Sequence, residues 1–162
     1  GITMAIDTHI KFDGVEGESS HADHKGEIDV LSWKWDVSNA SSAGKGGGSG
    51  LGKATPGAFV FKHAYDKASP VLAKNCASGK HFATVVLTAR KAGEGQKDFL
   101  KITMKEVFVT ALEPSAGQSG DINEEVQASY KDIEFAYKPQ DDKGGLGGEV
   151  KFGWDTATTA VR

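Results

Sequence analysis

Glu27-Ile28-Asp29-Val30-Leu31-Ser32-Trp33-Lys34-Trp35-Asp36-Val37 is the stretch whose reading decides this fold. Leu31, Trp33, Trp35 and Val37 share one parity, and Ser32, Lys34 and Asp36 the other. That period-2 pattern predicts a strand with one buried and one wet face. Each tryptophan ring buries roughly 200 Å², or about 5 kcal/mol of gross stabilisation as an upper bound. Net stabilities are only about 5–15 kcal/mol, so two such rings dominate the local energetics. Trp33 and Trp35 are therefore expected to anchor the core, with the rest of the chain packed around this strand.

Composition narrows the classes. A chain of 162 residues suits one domain with a sizeable core. Cys76 is the single cysteine, which excludes an intramolecular disulfide and suits a reducing compartment of synthesis. A net charge of -3 with mixed signs argues against nucleic acid as a partner. No apolar run reaches the 18 or so residues of a membrane span, and no signal-peptide pattern opens the chain. Gly1-Ile2-Thr3 before Met4 reads as an expression remnant, leaving residues 4–162 as one domain.

Outward from the anchor, Met4, Ile6, Thr8, Ile10 and Phe12 alternate with polar residues in a first strand. A polar loop follows to about Gly26; His21, Asp23 and His24 in it have weak zinc-ligand geometry and read as solvated. After the anchor, residues 38–57 are almost wholly Ser, Ala, Gly and Lys, with six glycines in the nine residues 44–52. Such a run cannot offset its ordering entropy alone and is expected to be mobile, with Leu51 as its one sizeable apolar group. Gly52-Lys53-Ala54 lacks the Ser or Thr and the following helix of a phosphate-binding loop.

Residues 58–63 predict a short strand. Residues 69–79 predict the one helix, with Ser69 as N-cap, Pro70 at its first position, Gly79 as its stop, and Leu72, Ala73, Cys76 and Ala77 on its apolar face. Residues 81–91 and 97–112 form a hairpin in which Leu100, Ile102, Met104 and Phe108 share a face, interrupted by Glu106. Val126, Ala128 and Tyr130 hold one parity, and Ile133, Phe135 and Tyr137 the other, so an irregularity near Lys131 or Asp132 puts all six on one side. Val150, Phe152 and Trp154 end the pattern. The sum is a mainly β chain of about seven or eight strands with one short helix, and edges this long favour closure into a compact β-barrel.

No catalytic constellation emerges: no nucleophile elbow, no His-Glu-x-x-His, no paired cysteines. His9, His63 and His81 read as structural or solvated residues in or beside strands. No catalytic, cofactor or metal residue is assigned, and the chain reads as a binding or assembly module rather than an enzyme. A monomeric β-sandwich that binds a carbohydrate or other small ligand is the alternative.

Several segments together resemble the haemolysin-coregulated protein (Hcp) family, the tube subunit of bacterial type VI secretion. They are Met4-Ala5-Ile6-Asp7 with Ile10-Lys11, Gly17-Glu18-Ser19, the anchor from Glu27 to Trp35, Ser78-Gly79-Lys80-His81-Phe82 and Arg90-Lys91-Ala92-Gly93. The run from Phe99 to Val107, Tyr137-Lys138-Pro139-Gln140 and Gly153-Trp154-Asp155 complete the set. The resemblance implies a β-barrel with one flanking helix and no catalysis. It implies homo-hexameric rings that stack into a tube and carry effector proteins in the lumen, with the tip spike and contractile sheath as further partners. Synthesis would be in the bacterial cytoplasm, followed by secretion through the apparatus without a cleaved signal peptide. On the family's pattern, Ser32 and Lys34 would face the channel, where Lys34 would form a positive belt, and Lys45, Gly48, Leu51 and Lys53 would belong to a ring-stacking loop.

Overall fold

The computed structural model describes residues 5–40, 53–143 and 145–162. In chain order its strands are β1 (Ile6–Phe12), β2 (Ile28–Asp29), β3 (Ser32–Lys34), β4 (Val37–Asn39), β5 (Ala54–Pro56) and β6 (Phe59–Ala64). Helix α1 (Ser69–Ser78) follows, then β7 (Phe82–Lys91), β8 (Leu100–Ala116), β9 (Ile122–Ser129), β10 (Asp132–Tyr137), β11 (Val150–Asp155) and β12 (Ala160–Val161). Strand β1 pairs with β7, β7 with β8, β8 with β9, and β9 with β6, all antiparallel. The anchor stretch then joins β6 back to β1, because β2 pairs with β1 while β3 pairs with β6. The barrel-like fold expected from the sequence is present, and β10, β11 and β12 extend it from the first half of β8.

The anchor is not one strand. The chain changes partners inside it, and Val30 N–H donates to the Thr8 carbonyl while Leu31 N–H donates to that of Lys62. The crossover turns Leu31 outward, 64% exposed, and Val37 leaves the barrel altogether to pair with Pro56. Trp33 and Trp35 are half-buried, packed against the core without being enclosed by it. Val37–Asn39 and Ala54–Pro56 form a separate two-stranded sheet, so both flanks of the glycine-rich segment are paired backbone. Its residues 41–52 lie outside the described residues.

Register explains where the apolar parity changes. Phe12, Val85, Met104, Ile133 and Trp154 form one continuous buried row across five strands. The next buried residues are Phe82 and Val107, paired with each other, and Tyr130 in the link between β9 and β10, each offset by three residues rather than two. Strands β7 and β8 therefore change face here, beside the link from β9 to β10, and Glu106 sits there with φ +52°, a left-handed conformation in which a non-glycine residue is uncommon. The face expected for β8 is corrected accordingly. Val107 and Val109 continue inward from Met104, and Phe108 lies half-buried on the other side, beside the His81 ring. The irregularity expected at Lys131 and Asp132 is the same corner, where β9 gives way to β10.

Helix α1 packs on β8 with Ser69 and Leu72 buried. Ala73 and Ala77, expected on its inner face, are exposed, because Ser69, Leu72 and the half-buried Cys76 define the contact. Nor is Ser69 the cap. Ala68 holds that position, and the preceding Asp66 carboxylate accepts from the Ala68 N–H at 2.9 Å and draws the Ser69 hydroxyl to 3.4 Å. Gly79 closes the helix at φ +70°, as expected, with its N–H turned to the last carbonyls.

Candidate functional site: the outer wall of β3, β6 and β9

Pairing places the wet side chains of four strands in ordered rows. Ser32 lies opposite Lys62, Lys62 opposite Glu125, and Glu125 opposite Glu113. The neighbouring row runs Lys34, Val60, Gln127 and Ala111, and beyond the first lies Ala64, Asn123 and Ser115. Small or polar side chains predominate, so the wall presents no large apolar patch of the kind that holds partners tightly. Ser32, Lys34 and Lys62 are exposed, and with Trp33, Val60, Phe61 and Glu125 they border one shallow depression. The sequence picked out Ser32 and Lys34 but missed Lys62, Glu113 and Glu125. Strand order is what brings those together, and the alternation within 58–63 was the only available signal.

Behind the wall the interior is tightly specified. Trp33 stacks on Phe59 with ring centroids 5.9 Å apart, and Trp35 lies 4.8 Å from Phe135. Directly behind Lys62 and Glu125 lie His63 and Glu124, paired in register, both buried, with His63 Nε2 2.8 Å from Glu124 Oε1. Burial raises the Asp66 carboxyl above its ordinary value, against the pull of the nearby His63. Such a pair inside a protein is a structural element whose disruption is costly. Of the loop residues expected at the stacking end, Lys53 is exposed at the start of the β5 arm, and Lys45, Gly48 and Leu51 lie outside the described residues.

The polar loop of residues 13–27 is not simply solvated. His24 is buried, and its ring lies flat against that of His9, centroids 4.7 Å apart and 13° from parallel. Arg90, also buried, gives Nε to Asp98 at 2.8 Å and Nη1 to Asp23 at 2.7 Å. Burial pushes the Asp98 carboxyl up, but its hydrogen bonds to Arg90 and His24 outweigh that and hold it below the ordinary carboxylate value. No set of three or more His, Cys, Asp or Glu with metal-holding geometry occurs among the described residues. An arginine closing the largely apolar run 82–90 was the sequence signal for this cluster.

A barrel-like β protein with a broad polar wall over an apolar core that holds a few buried polar pairs belongs to the class that works by presenting surfaces. Residues 9–137 match the family model described as "Type VI secretion system effector, Hcp". Protein hcp1 of Pseudomonas aeruginosa is 41% identical over 157 residues, covering 94% of this chain and 96% of that protein. A structure described as a type six secretion system protein superposes with a TM-score of 0.91 at 30% identity, covering 98% of this chain and 100% of that one. Hcp1 from Salmonella typhimurium superposes at 0.79 with 32% identity, covering 98% and 100%. This chain belongs to the Hcp family of secreted type VI tube proteins, a family of structural secretion proteins rather than enzymes.

Proposed function

We propose that six copies of this chain close into a ring, that rings stack into the inner tube of a type VI apparatus, and that effector proteins ride in the lumen against the β3, β6 and β9 wall. The observation that carries this reading is the set of exposed apolar side chains along the β10 to β12 extension. Val150, 63% exposed, opens β11 opposite the exposed Tyr137, and Val161, 68% exposed, lies opposite Trp154 toward the other end of that strand. Apolar side chains exposed on terminal strands need a cover, and a neighbouring copy supplies one. Membership of the Hcp family supports a place in the type VI apparatus, and the six-fold symmetry is part of the proposal.

The wall composition supports a lumen that releases what it carries. Lys34 does not stand alone, since Lys62 adds a second positive row and Glu113 and Glu125 add two negative ones. The proposed belt is therefore bipolar, and cargo is held by salt-sensitive contacts of both signs rather than by a net positive field. Negative-stain electron microscopy with light scattering at two concentrations tests the assembly. Rings with six-fold symmetry and an open centre are expected, and a monomer at both concentrations overturns the proposal. Lys34→Glu is expected to leave rings intact and to change which effector co-purifies; unchanged cargo overturns the role given to Lys34.

A further inference from the structure

The histidine cluster between the β1 to β2 loop and strands β1 and β7 is not used by the proposed tube function. The loop between β1 and β2 folds on itself through Gly17 N–H to the Gly26 carbonyl at 2.7 Å and Ser19 N–H to that of Glu27 at 2.9 Å. A Cβ at Gly17 would stand 2.5 Å from the Glu27 carbonyl oxygen, so the turn-back requires glycine there. One set of side chains then fastens this loop to the barrel. From the loop come His21, Asp23, His24 and Glu27; from β1, His9; from β2, Asp29; from β7, Thr88 and Arg90; and from the turn after β7, Asp98. Asp7 and Lys101 occupy adjoining register positions, opposite Arg90 and Thr88.

Within this set His9 is the group that acid disturbs. Its Nε2 lies 3.2 Å from Asp29 Oδ1, so the neutral ring keeps its proton there. Its Nδ1 is buried and has no hydrogen-bond partner among the described residues. A second proton would place a buried N–H with nothing to accept it, on a ring lying flat against His24 and edge-on to His21 at 5.1 Å. Asp29 and Glu27 favour that charge, but burial first and then His24 outweigh them and hold the His9 imidazole below its ordinary value. His24 is held in place against that ring. Its Nδ1 is 2.9 Å from Glu27 and its Nε2 is 3.1 Å from Arg90 Nη2, so a neutral His24 donates to the first and accepts from the second. Asp98 Oδ1 lies 3.2 Å from the same Nε2 and accepts from Arg90 Nε, so the facing ring is tied to β7 and to the turn after it.

We infer that residues 16–27 form an acid-released clasp, closed at neutral pH by the His9–His24 stack and opened when His9 takes a proton. Lifting His24 away removes the facing ring and admits water to His9 Nδ1, so the open loop is the arrangement that accommodates the charge. The barrel pairings of β1 with β7 and β7 with β8 do not depend on the loop and remain closed.

Hydrogen exchange read by mass spectrometry at pH 7.5 and 5.5, with rates corrected for intrinsic pH dependence, tests this on the intact protein. Peptides covering 16–27 are expected to lose about tenfold or more of their protection at pH 5.5, while β7 and β8 keep theirs. His9→Phe retains a flat ring without a titratable nitrogen and is expected to hold the loop equally at both pH values; His9→Gln serves if the phenylalanine variant does not fold. Equal protection of the wild-type loop at both pH values overturns the inference. So does acid loss that persists in the His9 variants, or loss that appears in β6 and β9, where it would report the His63–Glu124 pair instead.

Discussion

Trp35 Nε1–H donates to the Tyr130 hydroxyl at 2.6 Å, and that hydroxyl donates to the Gly57 carbonyl at 2.7 Å. Three places meet in this chain of bonds: the point where the anchor stretch leaves the barrel, the entry to β6, and the corner between β9 and β10. Burial is the main cause that raises the Tyr130 phenol above its ordinary value, so it stays protonated and available as a donor. Tyr130→Phe strands both the indole N–H and the carbonyl and is expected to cost about 1–3 kcal/mol. Urea unfolding measures it, and an unchanged midpoint removes the hydroxyl from the list of anchors.

His63 and Glu124 predict a non-additive pair. His63→Leu leaves a buried carboxylate without its partner and is expected to cost about 3–5 kcal/mol. Replacing both residues with leucine is expected to recover much of that loss, because neither member of the pair is then left buried without the other. A double variant at least as unstable as the sum of the two single ones refutes this account.

At Glu106 the backbone sets the tolerance. Glycine adopts φ +52° freely, whereas a β-branched residue is strained there. Glu106→Gly is expected to fall within about 0.5 kcal/mol of wild type, while Glu106→Val loses roughly 1–3 kcal/mol. Equal stabilities in denaturant would show that the corner is not held by this residue.

Acid should act in two windows. The His9 imidazole is lowered from its ordinary 6.5, so the unfolded chain takes the proton first. Its contribution is complete above about pH 6.5 and is lost as pH falls from there through the lowered value. Asp98 is lowered from 3.8, and its contribution is complete above that value and is lost as pH falls further. Stability curves for wild type and His9→Phe should therefore diverge first below pH 6.5, and Arg90→Met should flatten the loss below pH 4. Parallel curves in both windows contradict these assignments.

Full and partial burial separate two aromatic substitutions. Phe61 is buried between Phe12 and Phe59, so Phe61→Ala is expected to cost about 3–5 kcal/mol, the full cavity penalty. Trp33→Ala gives up a half-buried ring and should cost less, roughly 2–3 kcal/mol. Matched thermal and urea unfolding of the two variants decides the order; a larger loss at Trp33 would return that ring to the centre of the core.

Alternation along β1, β7, β8 and β11, the glycine stop of α1 and the family-wide segments were legible in the sequence because each rests on neighbours one to four residues apart. Period-2 patterning and a left-handed glycine are local consequences of backbone sterics, and they fixed the mainly β class, the single helix and the Hcp resemblance. The tertiary structure decided what depends on pairing between distant residues. Leu31 and Val37 alternate correctly with the two tryptophans yet face outward, because their stretch changes partner from β1 to β6 and then departs with β5. Lys62, Glu113 and Glu125 join Ser32 only through strand order, and His9 meets His24 only because a fifteen-residue loop folds back on itself. Periodicity in one strand says which side a residue takes; which other strand supplies its neighbour, and whether water reaches it, is set by the closure of the whole sheet.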